Sequence, residues 1–252
     1  RQLLDRLEGG LARLGAALLR VLRGLRPNSR GASRRNIAAH YDLGNELFRV
    51  FLDRNLMYSS AIFRDEAEPL EVASERKLER ICAKLGLRPG MRVVEIGTGW
   101  GGFALHAASR HGVHVTTTTI SREQHELATA RVREAGLEQH VTLLMRDYRD
   151  LEGRYDRLVS IEMIEAIGPQ YLETYFAKAS SLLEPDGMGL VQAITIEDHR
   201  YAQALRNVDF IQRHIFPGSH LVSVGAIAER VARVTDLRIA HLEDISEHYV
   251  TT

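Results

Sequence analysis

The sequence of 252 residues contains a single cysteine, Cys82, and this scarcity excludes two kinds of protein. One thiol cannot build a disulfide framework, and it leaves too few thiols for a cysteine-based zinc site. We therefore expect a reducing, cytoplasmic environment. The eleven histidines show no spacing typical of metal ligands, so we predict that no metal binds.

Long apolar runs are also missing. No stretch approaches the roughly 20 apolar residues of a transmembrane helix, and the residues after Arg1 lack the apolar segment of a signal peptide. We therefore expect a soluble protein or one that binds a membrane peripherally. Because 44% of the residues are hydrophobic, the chain can bury one sizeable α/β core.

A net charge is absent as well, but the charges are unevenly distributed along the chain. Residues 1–35 contain nine arginines and only two acids, Asp5 and Glu8, so this segment carries +7 and the remainder −7. Leucines recur in this segment at steps of three and four residues, which predicts an amphipathic helix. We therefore predict a basic helical arm and linker at 1–35, with the helix broken over 27–33.

The basic arm has two interpretations. It fits the surface of an anionic bilayer, with arginines reaching the lipid headgroups. The alternative is a packing helix that docks on another domain, forms a homodimer or binds a partner subunit. We predict a membrane partner and no nucleic acid, and the packing alternative stays open.

The residues 93–102, with the sequence VVEIGTGWGG, predict a strand, a glycine-rich turn and the start of a helix. Gly97 and Gly99 allow the backbone to pass close to a ligand because glycine has no Cβ. The amphipathic run at 103–109 places a helix N-terminus beside that ligand. We interpret the turn as a nucleotide-type cofactor loop, although the next strand, unlike that of a dinucleotide site, does not end in an acid. A tight turn without a ligand is the alternative.

The rest of the pattern alternates strands with helices, which predicts a doubly wound parallel sheet with ligands at the carboxyl ends of the strands. We also expect a final element after Thr252. The further predicted strands are 113–119, 141–145, 156–160, 187–194 and 237–245, and the further helices are 70–86, 121–135, 171–183, 199–213 and 223–235.

The sequence VEIGTGWGG at 94–102 resembles the first motif of class I S-adenosylmethionine methyltransferases. Six further motifs occur in the order seen in the cyclopropane-fatty-acyl-phospholipid synthase family, which includes the mycolic acid cyclopropane synthases. The resemblance covers residues 36–252 and implies a class I, Rossmann-like methyltransferase domain with a mostly parallel sheet, preceded by a helical arm and cap. The six motifs are HYDLGN at 40–45, MYSSA at 57–61, TISREQ at 119–124, DYRDL at 147–151, EAIGP at 165–169 and IFPG at 215–218.

The resemblance implies that the cofactor is S-adenosylmethionine. The residues that close over the cofactor correspond to Tyr58 and Ser59. The methionine side of the cofactor corresponds to the glycine turn with Gly97 and Gly99, which Glu95 and Trp100 flank. The adenosine end corresponds to Thr119, Ile120, Gln124, Tyr148 and Arg149.

The resemblance also implies the reaction, which is addition of the cofactor's methyl group to a cis double bond of a phospholipid acyl chain, with loss of a proton as a ring closes. In the family the base is a bicarbonate held by five residues, two of which depart here: serine stands for cysteine and glutamine for histidine. Glutamine cannot carry charge or relay a proton as imidazole can, so a methyl- or methylene-branched product is an alternative to the ring. The corresponding positions are Ser60, Glu165, Gln192, Ile194 and Tyr249.

Two different functions also stay open. A small-molecule methyltransferase would share the cofactor loop, and a noncatalytic lipid-binding or partner subunit would explain the departures at Ser60 and Gln192. Without the resemblance, Glu162 and Glu165 would be interpreted as a solvated pair on a helical turn. We predict that Glu165 and Tyr249 frame the reaction centre of an enzyme on the inner face of the membrane.

Overall fold

A computed structural model describes residues 45–207, 212 and 218–252. The predicted arm at 1–35, almost all of the motif at 40–45 and most of the motif at 215–218 lie outside the described residues.

The core of the fold is a five-stranded sheet in which every neighbouring pair of strands is parallel, so the predicted sheet is confirmed. The strands are β1 (Arg92–Ile96), β2 (His114–Thr119), β3 (Val141–Met145), β4 (Tyr155–Ile161) and β5 (Leu183–Gln192). Their order in the sheet is β3-β2-β1-β4-β5, so the direction of winding reverses beside β1. In sheets of this kind, ligands bind outside the carboxyl ends of the strands at that reversal.

Successive residues of a strand point to opposite faces of the sheet, so both faces carry apolar side chains. Helices cover both of these faces. Val93 packs with Phe103 and Leu78 in one apolar layer, whereas Val94 packs with Phe176 and Val231 in the other. The helices are α1 (Asn45–Phe51), α2 (Leu70–Lys84), α3 (Gly102–His111), α4 (Arg122–Glu134), α5 (Leu172–Leu182), α6 (Asp198–Ala204) and α7 (Val224–Val234). Short 3-10 turns lie at Tyr148–Asp150, Ile164–Ala166, Pro169–Tyr171 and Ser246–Val250.

The strand predicted at 237–245 is wrong, since this described segment contains no strand. Leu237 packs against the edge of the core, but Ile239 is 51% exposed and Leu242 is 69% exposed. Glu243 instead forms ion pairs with Arg80 and Lys84 of α2. An alternating pattern produces a strand only where a sheet edge is available to pair with it, and this segment lies against a helix.

The single helix predicted at 199–213 is also not what the structure contains. Helix α6 ends at Ala204, and residues 205–207 form a turn in which the Asn207 N–H donates to the Ala204 carbonyl oxygen at 3.3 Å. Asparagine favours turns over helix interiors because its side chain competes for backbone hydrogen bonds. Most of the remaining predicted segment lies outside the described residues.

A cap built from α1 and the following loop covers the glycine turn. The rings of Phe48 and Trp100 lie 4.6 Å apart, and Leu56 packs in the same apolar cluster. The guanidinium of Arg131 donates to the Trp100 carbonyl oxygen at 2.6 Å and to the Asn55 carbonyl oxygen at 3.1 Å. Helix α4 therefore holds the cap and the cofactor turn together.

The cap also depends on a missing side chain at the start of α3. A Cβ added to Gly102 would lie 2.5 Å from Met57 Sδ and 2.7 Å from the Asn55 carbonyl oxygen. We predict that Gly102→Ala lowers the free energy of unfolding by about 1–3 kcal/mol, because overpacking outweighs the helix propensity of alanine. Urea unfolding followed by circular dichroism measures the change.

The matched control is Gly189→Ala in β5, where the nearest atom to an added Cβ is 3.7 Å away. This variant should be as stable as the wild type or slightly more stable, because alanine loses less backbone entropy on folding. Equal stability of both variants would contradict the close packing of the cap on α3.

Candidate active site

A cavity of about 700 Å³ opens at the carboxyl ends of the central strands, a size within the usual 300–1,000 Å³ of small-molecule sites. The structure brings fifteen of the sixteen predicted site residues to its wall, and Gln192 is the exception. The lining residues are Tyr58, Ser59, Ser60, Glu95, Gly97, Gly99, Trp100, Thr119, Ile120, Gln124, Tyr148, Arg149, Glu165, Ile194 and Tyr249.

The glycine turn forms one end of this cavity. Gly97 has a φ of +101° and Gly99 a φ of +52°, both in the left-handed region that favours glycine. A Cβ on Gly97 would lie 3.1 Å from Cγ of Met163, so the backbone passes unusually close to that side chain. The turn thus offers bare backbone to a ligand, as the sequence predicts.

Neutral polar groups form the wall beyond β2. The Thr119 hydroxyl donates to Gln124 Oε1 at 2.8 Å, and Ser121 Oγ caps α4 by accepting from the Gln124 N–H at 3.3 Å. The side chains of Thr119 and Gln124 are therefore fixed where the strand becomes a helix. This wall suits the uncharged hydroxyl and base edges of a nucleoside.

An ion pair fixes the next part of the wall, which follows β3. Arg149 Nε donates to Asp147 Oδ1 at 2.8 Å and Nη2 donates to Oδ2 at 2.6 Å. The Arg149 guanidinium also lies 5.5 Å from the ring centroid of Tyr148. Among the described residues the buried Tyr148 hydroxyl has no hydrogen-bond partner, and burial raises its pKa to about 12. A ligand with a polar edge fits this place.

Glu95 is a buried acid at the end of β1. Its Oε2 accepts a hydrogen bond from the Thr117 hydroxyl at 2.7 Å, and burial raises the pKa of Glu95 to about 8. A cationic group of a bound ligand would favour the ionised form of this carboxyl group. The site therefore fits S-adenosylmethionine, which carries an ammonium and a sulfonium group.

Glu165 lies on the 3-10 turn Ile164–Ala166 and lines the same cavity. Its Oε1 accepts from the Ile194 N–H at 2.6 Å, whereas its buried Oε2 has no hydrogen-bond partner among the described residues. Burial is the main cause that raises the pKa of Glu165 to about 7. The group can thus hold or release a proton near neutral pH.

Glu162 is a central residue that the sequence analysis missed. Its Oε1 accepts from the Ser60 N–H at 3.1 Å, from Gln192 Nε2 at 2.8 Å and from the Tyr249 hydroxyl. The interpretation of Glu162 and Glu165 as a solvated helical pair is wrong, because Glu162 follows β4 and both side chains line the cavity. The available signal was the pair of acids at a strand end.

The residues assigned to bicarbonate by resemblance do not fit that anion here. The Ser60 N–H, the Gln192 amide and the Tyr249 hydroxyl donate to Glu162, and the Ile194 N–H donates to Glu165. The Ser60 hydroxyl donates to the Ala61 carbonyl oxygen at 3.1 Å. An added anion would meet two carboxyl groups, and these donors are already engaged within the chain.

Lys77 is a second residue that the sequence analysis missed. It is only 1% exposed, and its ammonium group donates to the Ser59 hydroxyl behind the cavity wall. Burial lowers the pKa of Lys77 to about 8, and the charges of Glu162 and Asp53 oppose that shift. In the sequence Lys77 is one of several charged residues of an amphipathic helix, so nothing singled it out.

Cys82 lies in a cluster that the histidine spacing did not reveal. Its sulfur and one ring nitrogen each of His106 and His111 lie within 4.8 Å of one another. Glu79 Oε2 lies 3.2 Å from Nε2 of His106 and 3.1 Å from Nε2 of His111. Hydrogen bonding accounts for this arrangement, and the absence of a metal stays a prediction.

The parallel sheet, the glycine turn after β1 and the polar walls after β2 and β3 together form the fold of a class I S-adenosylmethionine-dependent methyltransferase domain. The family model described as mycolic acid cyclopropane synthetase matches residues 28–252, and the chain belongs to this family.

Curated relatives support this membership. The tuberculostearic acid methyltransferase UfaA1 of Mycobacterium tuberculosis is 43% identical over 232 residues, which cover 89% of this chain and 54% of that protein. The cyclopropane-fatty-acyl-phospholipid synthase of Escherichia coli K12 is 46% identical over 191 residues, which cover 75% of this chain and 47% of that protein. The chain therefore spans about half the length of these relatives.

Solved structures of the family have the same fold. The cyclopropane synthase MmaA2 from Mycobacterium tuberculosis matches with a TM-score of 0.78 and 28% identity, over 86% of this chain and 79% of that chain. The mycolic acid cyclopropane synthase CmaA1, complexed with SAH and CTAB, matches with a TM-score of 0.78 and 29% identity over the same shares. In the part of this chain that the structure describes, no helix is long and apolar enough to cross a membrane.

The buried Glu95 should make stability depend on pH. Between 4.5, its ordinary pKa, and about 8 the unfolded chain has released this proton while the folded protein retains it. The contribution of Glu95 to the free energy of unfolding therefore falls as the pH rises from 4.5 to about 8. We predict that Glu95→Gln removes this part of the fall, as measured by urea unfolding at a series of pH values. Equal pH dependence in both proteins would contradict the raised pKa.

Proposed function

We propose that the chain is the catalytic part of an S-adenosylmethionine-dependent C-methyltransferase that acts on a double bond of unsaturated acyl chains in membrane phospholipids. The observation that carries this proposal is the cavity that joins the glycine turn to Glu162 and Glu165. A cofactor loop and a proton-accepting centre thus share one enclosure.

The residues divide this task between binding and chemistry. Bound S-adenosylmethionine supplies an electrophilic methyl group on sulfur. Gly97, Gly99 and Glu95 hold its methionine side, while Thr119, Gln124 and Tyr148 hold its adenosine side.

The cavity wall between these ends is largely apolar. An alkene is a weak nucleophile, so the site has to orient it and exclude water from the cation that forms. The side chains that suit this purpose are Phe51, Leu56, Met163, Ile167 and Leu221.

Two products are compatible with the site. Loss of a proton from the transferred methyl carbon gives a cyclopropane when the new bond closes a ring. After a hydride shift along the acyl chain, the same loss gives a methylene branch. The replacements at Ser60 and Gln192 and the similarity to the tuberculostearic acid methyltransferase favour the branch. A saturated methyl branch contains two more hydrogen atoms and therefore needs a separate reduction.

Labelled S-adenosylmethionine and vesicles of a defined unsaturated phospholipid test the proposal. We predict label in the acyl chain, with a methylene branch identified by mass spectrometry. Glu165→Gln should lower kcat by about 100-fold or more because it loses an acid–base group, and the exposed Glu138→Gln should match the wild type.

Three results would change the conclusion. A dominant cyclopropane product would reject the branched version, while label only in a small-molecule acceptor would reject a lipid substrate. Cofactor binding without transfer to any acceptor would instead support a noncatalytic subunit.

We also propose that the basic arm at 1–35 binds anionic lipid at the cytoplasmic face of the membrane. The arm carries nine arginines, and each basic residue near an anionic surface contributes roughly 1 kcal/mol. Replacing Arg6, Arg13 and Arg20 with glutamine should reduce sedimentation with phosphatidylglycerol vesicles, and high salt should have the same effect.

Phosphatidylcholine vesicles are the control for that experiment, since they carry no net charge. Equal binding to both vesicle types would contradict the proposal. A changed oligomeric state with unchanged vesicle binding would assign the arm to a homodimer or a partner subunit.

A further inference from the structure

Three donors converge on one oxygen of Glu162. The Ser60 N–H lies 3.1 Å and Gln192 Nε2 lies 2.8 Å from its Oε1, and the Tyr249 hydroxyl donates to the same atom. These are donors from three of the five positions that the family resemblance assigns to bicarbonate. We propose that the Glu162 carboxylate replaces that anion and is the base that removes the proton from the transferred methyl carbon. This inference rests on the proposed function.

The backbone at Glu162 supports a specific role for its side chain. Its φ of +47° is in the left-handed region, which only a few per cent of residues other than glycine adopt. Such a conformation is strained and persists only where the surroundings hold it. Here the Glu162 N–H donates to the Gln192 carbonyl oxygen at 2.8 Å, so β5 holds the backbone while its Gln192 side chain holds the carboxylate.

The position of Glu162 in the cavity is suitable for a base. It follows directly after β4 and lines the same cavity as the glycine turn and Glu165. A Cβ built on Gly97 would lie 3.1 Å from Cγ of the neighbouring Met163. Among the described residues, the donors contact Oε1, which leaves Oε2 to take the proton.

Glu162 interacts electrostatically with two buried side chains. Burial raises the pKa of Glu165 to about 7, and the charge of Glu162 adds to that shift. The buried Lys77 supplies a nearby positive charge that interacts with Glu162. The Glu162 carboxylate therefore lies near one acidic and one basic group of this site.

The proposed step begins once the acyl chain carries the new methyl group and a carbocation. A C–H bond of that methyl carbon breaks, and the proton goes to the Glu162 carboxylate. The electron pair of the C–H bond forms the ring-closing C–C bond. Where a 1,2-hydride shift has first moved the cation to the methyl-bearing carbon, the same electron pair forms the C=C bond of a methylene branch. The carbocation and one carboxylate charge are neutralised, and no oxidant or reductant is needed.

Two variants test this inference in the full chain. Glu162→Gln retains an oxygen acceptor for the three donors but not the negative charge. We expect kcat to fall by about 100-fold or more, with the affinity for SAH and the KM for lipid unchanged. Retention of the wild-type kcat would overturn the role as base.

Glu162→Gly removes the carboxylate and its strain, since glycine adopts a positive φ freely. In buffer free of carbon dioxide we expect this variant to be inactive and to regain activity when bicarbonate is added. The wild type should be active in both conditions. Bicarbonate should also raise the Tm of Glu162→Gly but not that of the wild type, because only the variant has free donors to bind it.

The outcomes separate the inference from the proposed function. Absence of methyl transfer by the wild type to any unsaturated lipid would reject the proposed function and with it the assignment of Glu162 as base. Activity of the wild type that depends on bicarbonate, or a Tm shift of the wild type with bicarbonate, would overturn the inference alone. Glu138→Gln, an exposed acid, is the charge control in each experiment.

Discussion

Parallel pairing of β1 with β2 on one side and β4 on the other determines where the site residues lie. Because the strands run in one direction, the residues that follow each of them meet at a single edge of the sheet. Glu95 is opposite Thr117 in the register between β1 and β2, and Ile161 is opposite Gln192 between β4 and β5. The cofactor wall and the acidic centre are therefore brought together by backbone hydrogen bonds, and the side chains only complete them.

The parts of the fold that could be predicted are those in which local pattern and tertiary environment agree. Alternating strands and helices led to the parallel sheet, and the glycines after β1 led to the turn with positive φ at Gly97 and Gly99. The segment at 237–245 failed because its apolar alternation is local, whereas a strand requires a partner edge, and Glu243 instead pairs with α2.

The same distinction applies to the candidate site. Most of the fifteen predicted residues reach the cavity because they lie at or after the end of a strand, and strand ends converge. The exceptions are Tyr58, Ser59 and Ser60, which precede β1, and Tyr249, which lies on the turn Ser246–Val250. Glu162 escaped because its role depends on hydrogen bonds to Ser60, Gln192 and Tyr249, which are far apart in the sequence. Lys77 escaped because a buried ammonium group and an exposed one are indistinguishable in an amphipathic pattern. Resemblance supplied the positions of the anion ligands, and only the structure connected them to a carboxylate.

The hydrogen bond from Tyr249 to Glu162 joins the end of the described chain to the middle of the site. Tyr249 lies on the turn Ser246–Val250, and the nearby Thr252 hydroxyl accepts from the Ala61 N–H at 3.2 Å. The loop over the cofactor turn and the last residues therefore form two halves of a closure. Separating these two segments would remove one donor from Glu162, so the opening of this part of the cavity and the hydrogen bonding of its carboxyl group are coupled.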